Sequence, residues 1–166
     1  MQIARTGVVE SGSIMATLTE ILTPTCVKVP LEGKDKNAVI TELVDLLDSE
    51  GQLLNRDEAL ESVFIREKTR STGIGGGIAI PHGKCRAVEE LVMAVGISRE
   101  GIDFQSVDGK PVKIIILLVS PTDKTGPHIQ ALARISKLML NEDFKRRLSA
   151  ASSAQQAYEL LKSKEE

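Results

Sequence analysis

The stretch Ile114-Ile115-Ile116-Leu117-Leu118-Val119 is apolar throughout and is rich in β-branched residues. A strand with one solvated face would alternate polar and apolar residues, so this continuity predicts a central strand that is covered on both faces. A second apolar run, Leu91 to Ile97, predicts another strand. Between the two runs, Asp108-Gly109 favours a tight hairpin turn that joins Ile102–Val107 to Val112–Val119.

Two helices are predicted before these strands. Asp35 is a typical N-cap, and Gly51 is placed as the residue that ends the first helix. Asn55, followed by Glu58 three residues later, begins a second helix that continues to about Thr69. Each helix has an apolar stripe with a period of 3.6 residues; the stripes consist of Val39, Ile40, Leu43, Leu46 and Leu47, and of Ala59, Leu60, Val63 and Phe64.

The ends of the chain add further elements. Residues 18–22 form a helical turn ended by Pro24, and residues 26–29 alternate like an edge strand. Pro127 is placed at the first position of a helix that runs to about Leu140, and shorter helical patterns cover 142–150 and 154–162. Residues 1–15 are predicted to be a loose arm, and residues 16–166 one domain. This order favours an α/β fold, a mixed-sheet sandwich of about five strands flanked by helices.

Composition excludes several classes of protein. With 166 residues and 42% hydrophobic content the chain fits one globular domain. It has no apolar run of about 20 residues and no signal-peptide core, which predicts a cytoplasmic protein without membrane insertion. A net charge of −2 and 2% aromatic residues argue against nucleic-acid binding. Cys26 and Cys85 predict no disulfide, and no recognised metal-ligand spacing occurs.

One of only two histidines ends the segment Ala79-Ile80-Pro81-His82-Gly83, after the run Gly73-Ile74-Gly75-Gly76-Gly77. Pro81 fixes the backbone before His82, and Gly83 has no side chain, so the imidazole is predicted to be exposed in a loop at the rim of a core. A histidine that caps a turn at a strand end is the alternative. The glycine run lacks the Gly-Lys-Ser/Thr ending of a phosphate-binding loop and does not fit a dinucleotide fingerprint.

The second histidine, His128, is predicted to face inwards. At 100° per residue it aligns with Leu132, Ile135 and Met139, opposite the polar stripe of its helix. Because the positive end of the helix disfavours a charged imidazole, His128 should be neutral, with one nitrogen donating and the other accepting. A core histidine bonded to the backbone is the alternative.

Arg66 lies at the edge of an apolar stripe, from which it can reach solvent or a neighbouring cleft. If His82, His128 and Arg66 converge, they supply a nucleophile, a neutral donor and a fixed cation, which suits a phosphoryl group. No carboxylate pair and no Ser-His-Asp or Cys-His order points to hydrolysis. A divalent-metal site made of His82, Cys85 and His128 is a weaker alternative.

Several motifs together resemble one protein family. The segments are Arg66-Glu67-Lys68, Ser71-Thr72-Gly73-Ile74-Gly75, Gly77-Ile78-Ala79-Ile80-Pro81-His82-Gly83-Lys84, and Pro127-His128. They resemble the enzyme IIA domain of the fructose/mannitol class in the bacterial sugar phosphotransferase system (PTS), over roughly residues 18–161. Within that class the chain looks most like the nitrogen-regulatory IIA proteins, although Gly76 stands where those often have Asn.

The resemblance implies a mixed sheet flanked by helices and a phosphohistidine at His82. The donor would be the phosphohistidine of an HPr-type carrier protein or its nitrogen-branch counterpart, with no metal or nucleotide cofactor in the site. His128 and Arg66 match the second histidine and the active-site arginine of the family. Thr72 matches a position that the family keeps polar, which implies a weaker phosphate contact.

The acceptor stays open at this point. A regulator would change its affinity for a target protein, whereas a sugar-specific component would pass the phosphoryl group to a IIB domain. The chain carries no IIB or membrane segment, which favours the regulator. A binding module that has lost phosphoryl transfer is an alternative of another class.

Overall fold

The apolar run at residues 114–119 forms the middle of the sheet, as its sequence predicts. The computed structural model describes residues 17–165, and the predicted arm at residues 1–15 lies outside them. The run belongs to strand β6, Val112–Pro121, in which every residue from 114 to 121 is buried. Since neighbouring side chains point to opposite faces, both faces of this strand are covered.

Within residues 17–165, six strands form one mixed sheet, where about five were predicted. Besides β6, they are β1 (Val27–Lys28), β2 (Gly73–Gly75), β3 (Ile78–Ala79), β4 (His82–Cys85) and β5 (Val92–Ile102). The order is β1-β5-β6-β3-β2, and β4 also pairs with β6. Strands β3 and β4 both run parallel to β6, while β5 is antiparallel to it. His82 was predicted to lie in a loop, with a strand end as the alternative, and the structure places it as the first residue of β4. Strands β3 and β4 pair with β6 on either side of a break at Ile80–Pro81.

The predicted turn at Asp108-Gly109 is present, but the tight hairpin around it is wrong. The N–H of Gly109 donates to the carbonyl of Ser106 at 2.9 Å. However, β5 already ends at Ile102, which pairs with Val112, so residues 103–111 form a long connection. The N–H of Val107 donates to the carbonyl of Gly73 at 3.2 Å, because this connection packs beside β2 instead of continuing the hairpin.

In the described part of the chain, six helices surround the sheet, close to their predicted positions. They are α1 (Leu18–Ile21), α2 (Lys36–Ser49), α3 (Arg56–Thr69), α4 (Thr125–Leu138), α5 (Glu142–Ser149) and α6 (Ala154–Glu165). Helices α2 and α3 pack against each other and against β5 and β4, α4 and α5 pack against β6, and α6 packs against α1 and β1. Within residues 17–165, no helix is long and apolar enough to cross a membrane.

The predicted caps of α2 and α3 are confirmed. The Asp35 carboxylate accepts from the N–H of Ala38 at 2.8 Å, and the Asn55 side chain accepts from the N–H of Glu58 at 3.0 Å. Pro127 is the third residue of α4 and not the first, because the helix begins at Thr125. A proline costs no hydrogen bond there, since the first turn of a helix leaves its N–H groups unpaired.

Candidate functional site

His82 begins strand β4, directly after the break that separates β4 from β3. The carbonyl of Pro81 accepts from the N–H of Leu118 at 3.0 Å and resumes the pairing with β6. The carbonyl of Ile80 instead lies 2.7 Å from Nδ1 of His82. A carbonyl can only accept, so Nδ1 of His82 carries a hydrogen. In the neutral ring, Nε2 is therefore the nitrogen with the free lone pair.

The imidazole of His82 is half-buried, not exposed as the sequence suggested. Burial lowers its pKa below the ordinary value of 6.5, and the positive charges of Arg66 and Lys84 add to that effect. The bond to the Ile80 carbonyl and the charge of Glu67 act in the opposite direction. The ring is accordingly neutral near neutral pH, and an unprotonated ring offers a lone pair.

His128 faces the interior from the first turn of α4, as predicted. Its side chain is 5% exposed, and its ring centroid lies 5.3 Å from that of His82. Burial lowers the pKa of His128 to about 4, with further contributions from His82 and Lys84. The prediction of a neutral imidazole therefore agrees with the structure. The predicted cause was the positive end of the helix, whereas the main cause of the lowered pKa is burial. Nδ1 of His128 lies 2.6 Å from Oγ of Ser120 on β6.

Arg66 lines a cleft together with His82. The cleft has a volume of about 320 Å³, and its walls come from the end of α3, the segment that follows it, β2 and α4. The guanidinium of Arg66 donates to the carbonyl of Arg70 at 2.8 Å, which holds it near the end of its own helix. Because α3 passes very close to β4 at Gly83, the arginine and His82 are brought to the same cleft.

The close approach at Gly83 explains why a glycine follows the histidine. A Cβ at this position would lie 2.4 Å from Oγ of Ser62 and 2.9 Å from the Ser62 carbonyl carbon. Such distances are well inside van der Waals contact, so any larger residue would push α3 away from the strand. The sequence shows that Gly83 has no side chain, but it does not predict that helix α3 occupies the space beside it.

Thr72 lines the same cleft, but its hydroxyl is already engaged. Oγ1 of Thr72 donates to the Glu67 carboxylate at 2.6 Å, and the N–H of Thr72 donates to the same carboxylate at 2.9 Å. Nζ of Lys36 lies 3.2 Å from Oε2 of Glu67, the same oxygen that accepts from the N–H of Thr72. A hydroxyl has one proton, so Thr72 can donate to a phosphoryl oxygen only by releasing Glu67. Its predicted phosphate contact stays a prediction.

Sequence reasoning missed three residues near the two imidazoles. Ser120 and Glu67 are buried polar groups whose partners are distant in the chain or on another element. Lys84 shares the strand face of His82, since it lies two residues further along β4. Lys84 and Glu67 both belong to the motifs that carry the family resemblance, but neither was predicted to have a role. The alternation of a strand after His82 would have indicated Lys84, whereas no local pattern pairs Ser120 with His128.

Within the described part of the chain, no group of three or more His, Cys, Asp and Glu side chains is placed to hold a metal ion. Cys85 is buried and free, and so is Cys26. His82, Cys85 and His128 therefore do not form such a group in this structure.

The fold and this arrangement define a class of protein with a mixed sheet flanked by helices and two neighbouring imidazoles beside strand β4. The family described as "Phosphoenolpyruvate-dependent sugar phosphotransferase system, EIIA 2" matches residues 20–164. The chain belongs to this family, and its role is that of a PTS phosphocarrier, as the resemblance implied.

The relatives come from two branches. The fructose-specific EIIABC component of the Bacillus subtilis PTS is 38% identical over 82% of this chain, which spans only 21% of that longer protein. A nitrogen regulatory protein of Bradyrhizobium diazoefficiens is 33% identical over 87% of this chain and 94% of its own length. The crystal structure of nitrogen regulatory protein IIA-Ntr from Neisseria meningitidis is 33% identical, covers 87% of this chain and 98% of its own, and has a TM-score of 0.80.

Proposed function

We propose that His82 accepts a phosphoryl group on Nε2 from the phosphohistidine of an HPr-type carrier protein. The observation that carries this proposal is the 2.7 Å contact between Nδ1 of His82 and the Ile80 carbonyl, which leaves Nε2 with the lone pair. The lowered pKa of His82 supports the same role, because a protonated ring could not attack phosphorus.

The transfer balances without a proton leaving the site. The lone pair of Nε2 forms a bond to phosphorus while the P–N bond of the donor breaks, and the donor ring recovers its own lone pair. The ring of His82 then bears a formal positive charge, which the Ile80 carbonyl stabilises by accepting from Nδ1–H. The bond broken and the bond formed are both P–N bonds to an imidazole, so the free-energy change of the transfer is small. The step can therefore run in both directions, as a carrier requires.

The surroundings of His82 suit the charge of the phosphoryl group. Arg66 would pair with its oxygens, since a guanidinium presents several donors in one plane. His128 would add a neutral donor from the buried side, and Lys84 a second positive charge. Oxygens that gain charge in the transition state are best stabilised by donors already in place.

We infer that the phosphoryl group acts as a regulatory switch, because the match to nitrogen regulatory proteins extends over nearly their whole length. Phosphorylation would add roughly two negative charges to the rim of the cleft and so change its affinity for a target protein. The second candidate, transfer to a fructose- or mannitol-type IIB domain, is favoured by the similarity to the fructose-specific Bacillus subtilis protein.

Two free cysteines suit a reducing compartment, which supports the cytoplasm as the location.

The experiment is incubation with radiolabelled phosphoenolpyruvate, enzyme I and HPr, followed by acid treatment. The wild type should take up acid-labile label, and ³¹P NMR should place it on Nε2. His82→Ala should take up none, while His128→Ala, which alters the only other histidine, should be labelled slowly and pass the label on poorly. An unlabelled wild type would leave the binding module without phosphoryl transfer as the better reading.

The two acceptors are separated by a second step. Labelled protein is purified and mixed with a fructose-type IIB domain. Rapid loss of label to that domain supports the sugar-specific role, and retention of label supports the regulatory role.

A further inference from the structure

The side chain of Ser120 is fully buried on β6, against the first turn of α4. Its Oγ lies 2.6 Å from Nδ1 of His128, a short hydrogen bond between two elements that pack together in the core. Nε2, the other nitrogen of the His128 ring, bonds to no side chain within residues 17–165. Ser120 therefore engages Nδ1 and leaves Nε2 available to a ligand.

The direction of this bond follows from the hydrogens available. A serine hydroxyl has one proton, and a neutral imidazole has one N–H. If Nδ1 of His128 were the donor, the proton of Ser120 would need another acceptor, and its side chain has no second partner among the described residues. A buried donor left without a partner is costly, so the hydroxyl donates and Nδ1 accepts.

We propose that Ser120 is a positioning residue that holds His128 in the tautomer with its hydrogen on Nε2. This inference rests on the proposed phosphoryl transfer, and it adds the reason why Nε2 of His128 can donate a hydrogen bond to the phosphoryl group. The two imidazoles then have opposite tautomers: His82 presents a lone pair at Nε2, and His128 presents an N–H there. With ring centroids 5.3 Å apart, that N–H is within reach of a phosphoryl group carried on His82.

The test compares Ser120→Ala with two other variants of the full chain. Ser120→Thr keeps a hydroxyl at the same place. Ser106→Ala is the matched control, because Ser106 is also buried but its Oγ has no hydrogen-bond partner. Two quantities are measured, the tautomer of His128 from its ring ¹⁵N chemical shifts without any phosphoryl donor, and the rate of label uptake from phosphorylated HPr.

In the wild type we expect Nε2 of His128 to be protonated and Nδ1 to be bare. In Ser120→Ala the tautomers should become mixed and uptake should slow about tenfold, the effect of losing roughly one hydrogen bond at the donor. Ser120→Thr should restore the Nε2–H tautomer, and Ser106→Ala should leave both quantities as in the wild type.

A wild-type spectrum with the hydrogen on Nδ1 of His128 would overturn the proposal, whatever the variants do. So would an unchanged tautomer in Ser120→Ala. These outcomes are independent of the proposed function, because the spectrum is recorded without phosphoryl transfer. Absence of label on His82 would contradict the carrier role but leave the tautomer assignment standing.

Discussion

Acid should destabilise this protein through His128 well before most carboxylates are protonated. The unfolded chain takes up a proton at this histidine below about pH 6.5, whereas the folded chain does so only below about pH 4. Between these values the unfolded state binds more protons, so the stability contributed by the buried neutral ring is present at pH 7 and falls as the pH drops.

The size of the effect follows from the two pKa values. Their separation corresponds to about 3 kcal/mol when the loss is complete. Between pH 7 and pH 5 the loss should reach about 2 kcal/mol, because the unfolded histidine is then almost fully charged while the folded one is still largely neutral.

Urea denaturation at pH 7 and pH 5 measures this loss, for the wild type and for His128→Gln. The glutamine keeps an oxygen that can accept from Ser120 but does not titrate. Carboxylates and His82 contribute to both proteins, so the wild type should lose about 2 kcal/mol more than the variant over this interval. An equal loss in the two proteins, or a His128 ring that titrates near pH 6.5 by NMR, would refute the reasoning.

Two further predictions concern the frame around the cleft. Gly83→Ala should destabilise the protein by about 1–3 kcal/mol, since the new methyl group meets Ser62 of α3. Thermal melting measures the change. An unaltered melting temperature would mean that α3 can shift freely. Glu67→Gln should cost about 2 kcal/mol in urea denaturation, because one charged acceptor serves both Thr72 and Lys36. The exposed Glu61→Gln is its control, and equal stabilities would show that the buried carboxylate is dispensable.

The parts of the fold that local chemistry determines were predictable. Asp35 and Asn55 cap α2 and α3 as expected, since an N-cap depends only on residues within one turn. The continuous apolar run at 114–119 likewise indicated its central place, because only a strand covered on both faces lacks polar positions.

The errors arose where distant residues decide the structure. The turn at Asp108-Gly109 forms, but the connection at 103–111 packs beside β2, and this contact replaces the hairpin pairing predicted around the turn. The division of β3 from β4 at Pro81 depends on pairing with β6, which nothing in residues 78–85 specifies. At the site, the helical periodicity of α4 was enough to predict that His128 faces inwards. Its hydrogen bond to Ser120 joins a helix to a strand, and no periodic pattern in the sequence predicts such a contact.

The break at Ile80–Pro81 has a consequence for how the protein tolerates mutation. The hydrogen of His82 is fixed by a main-chain carbonyl, an atom that every amino acid supplies. Exchanging neighbouring side chains leaves this acceptor in place, so the hydrogen should stay on Nδ1 of His82 in such variants. Only an alteration of the chain path itself, such as an insertion between residues 80 and 82, would displace that carbonyl.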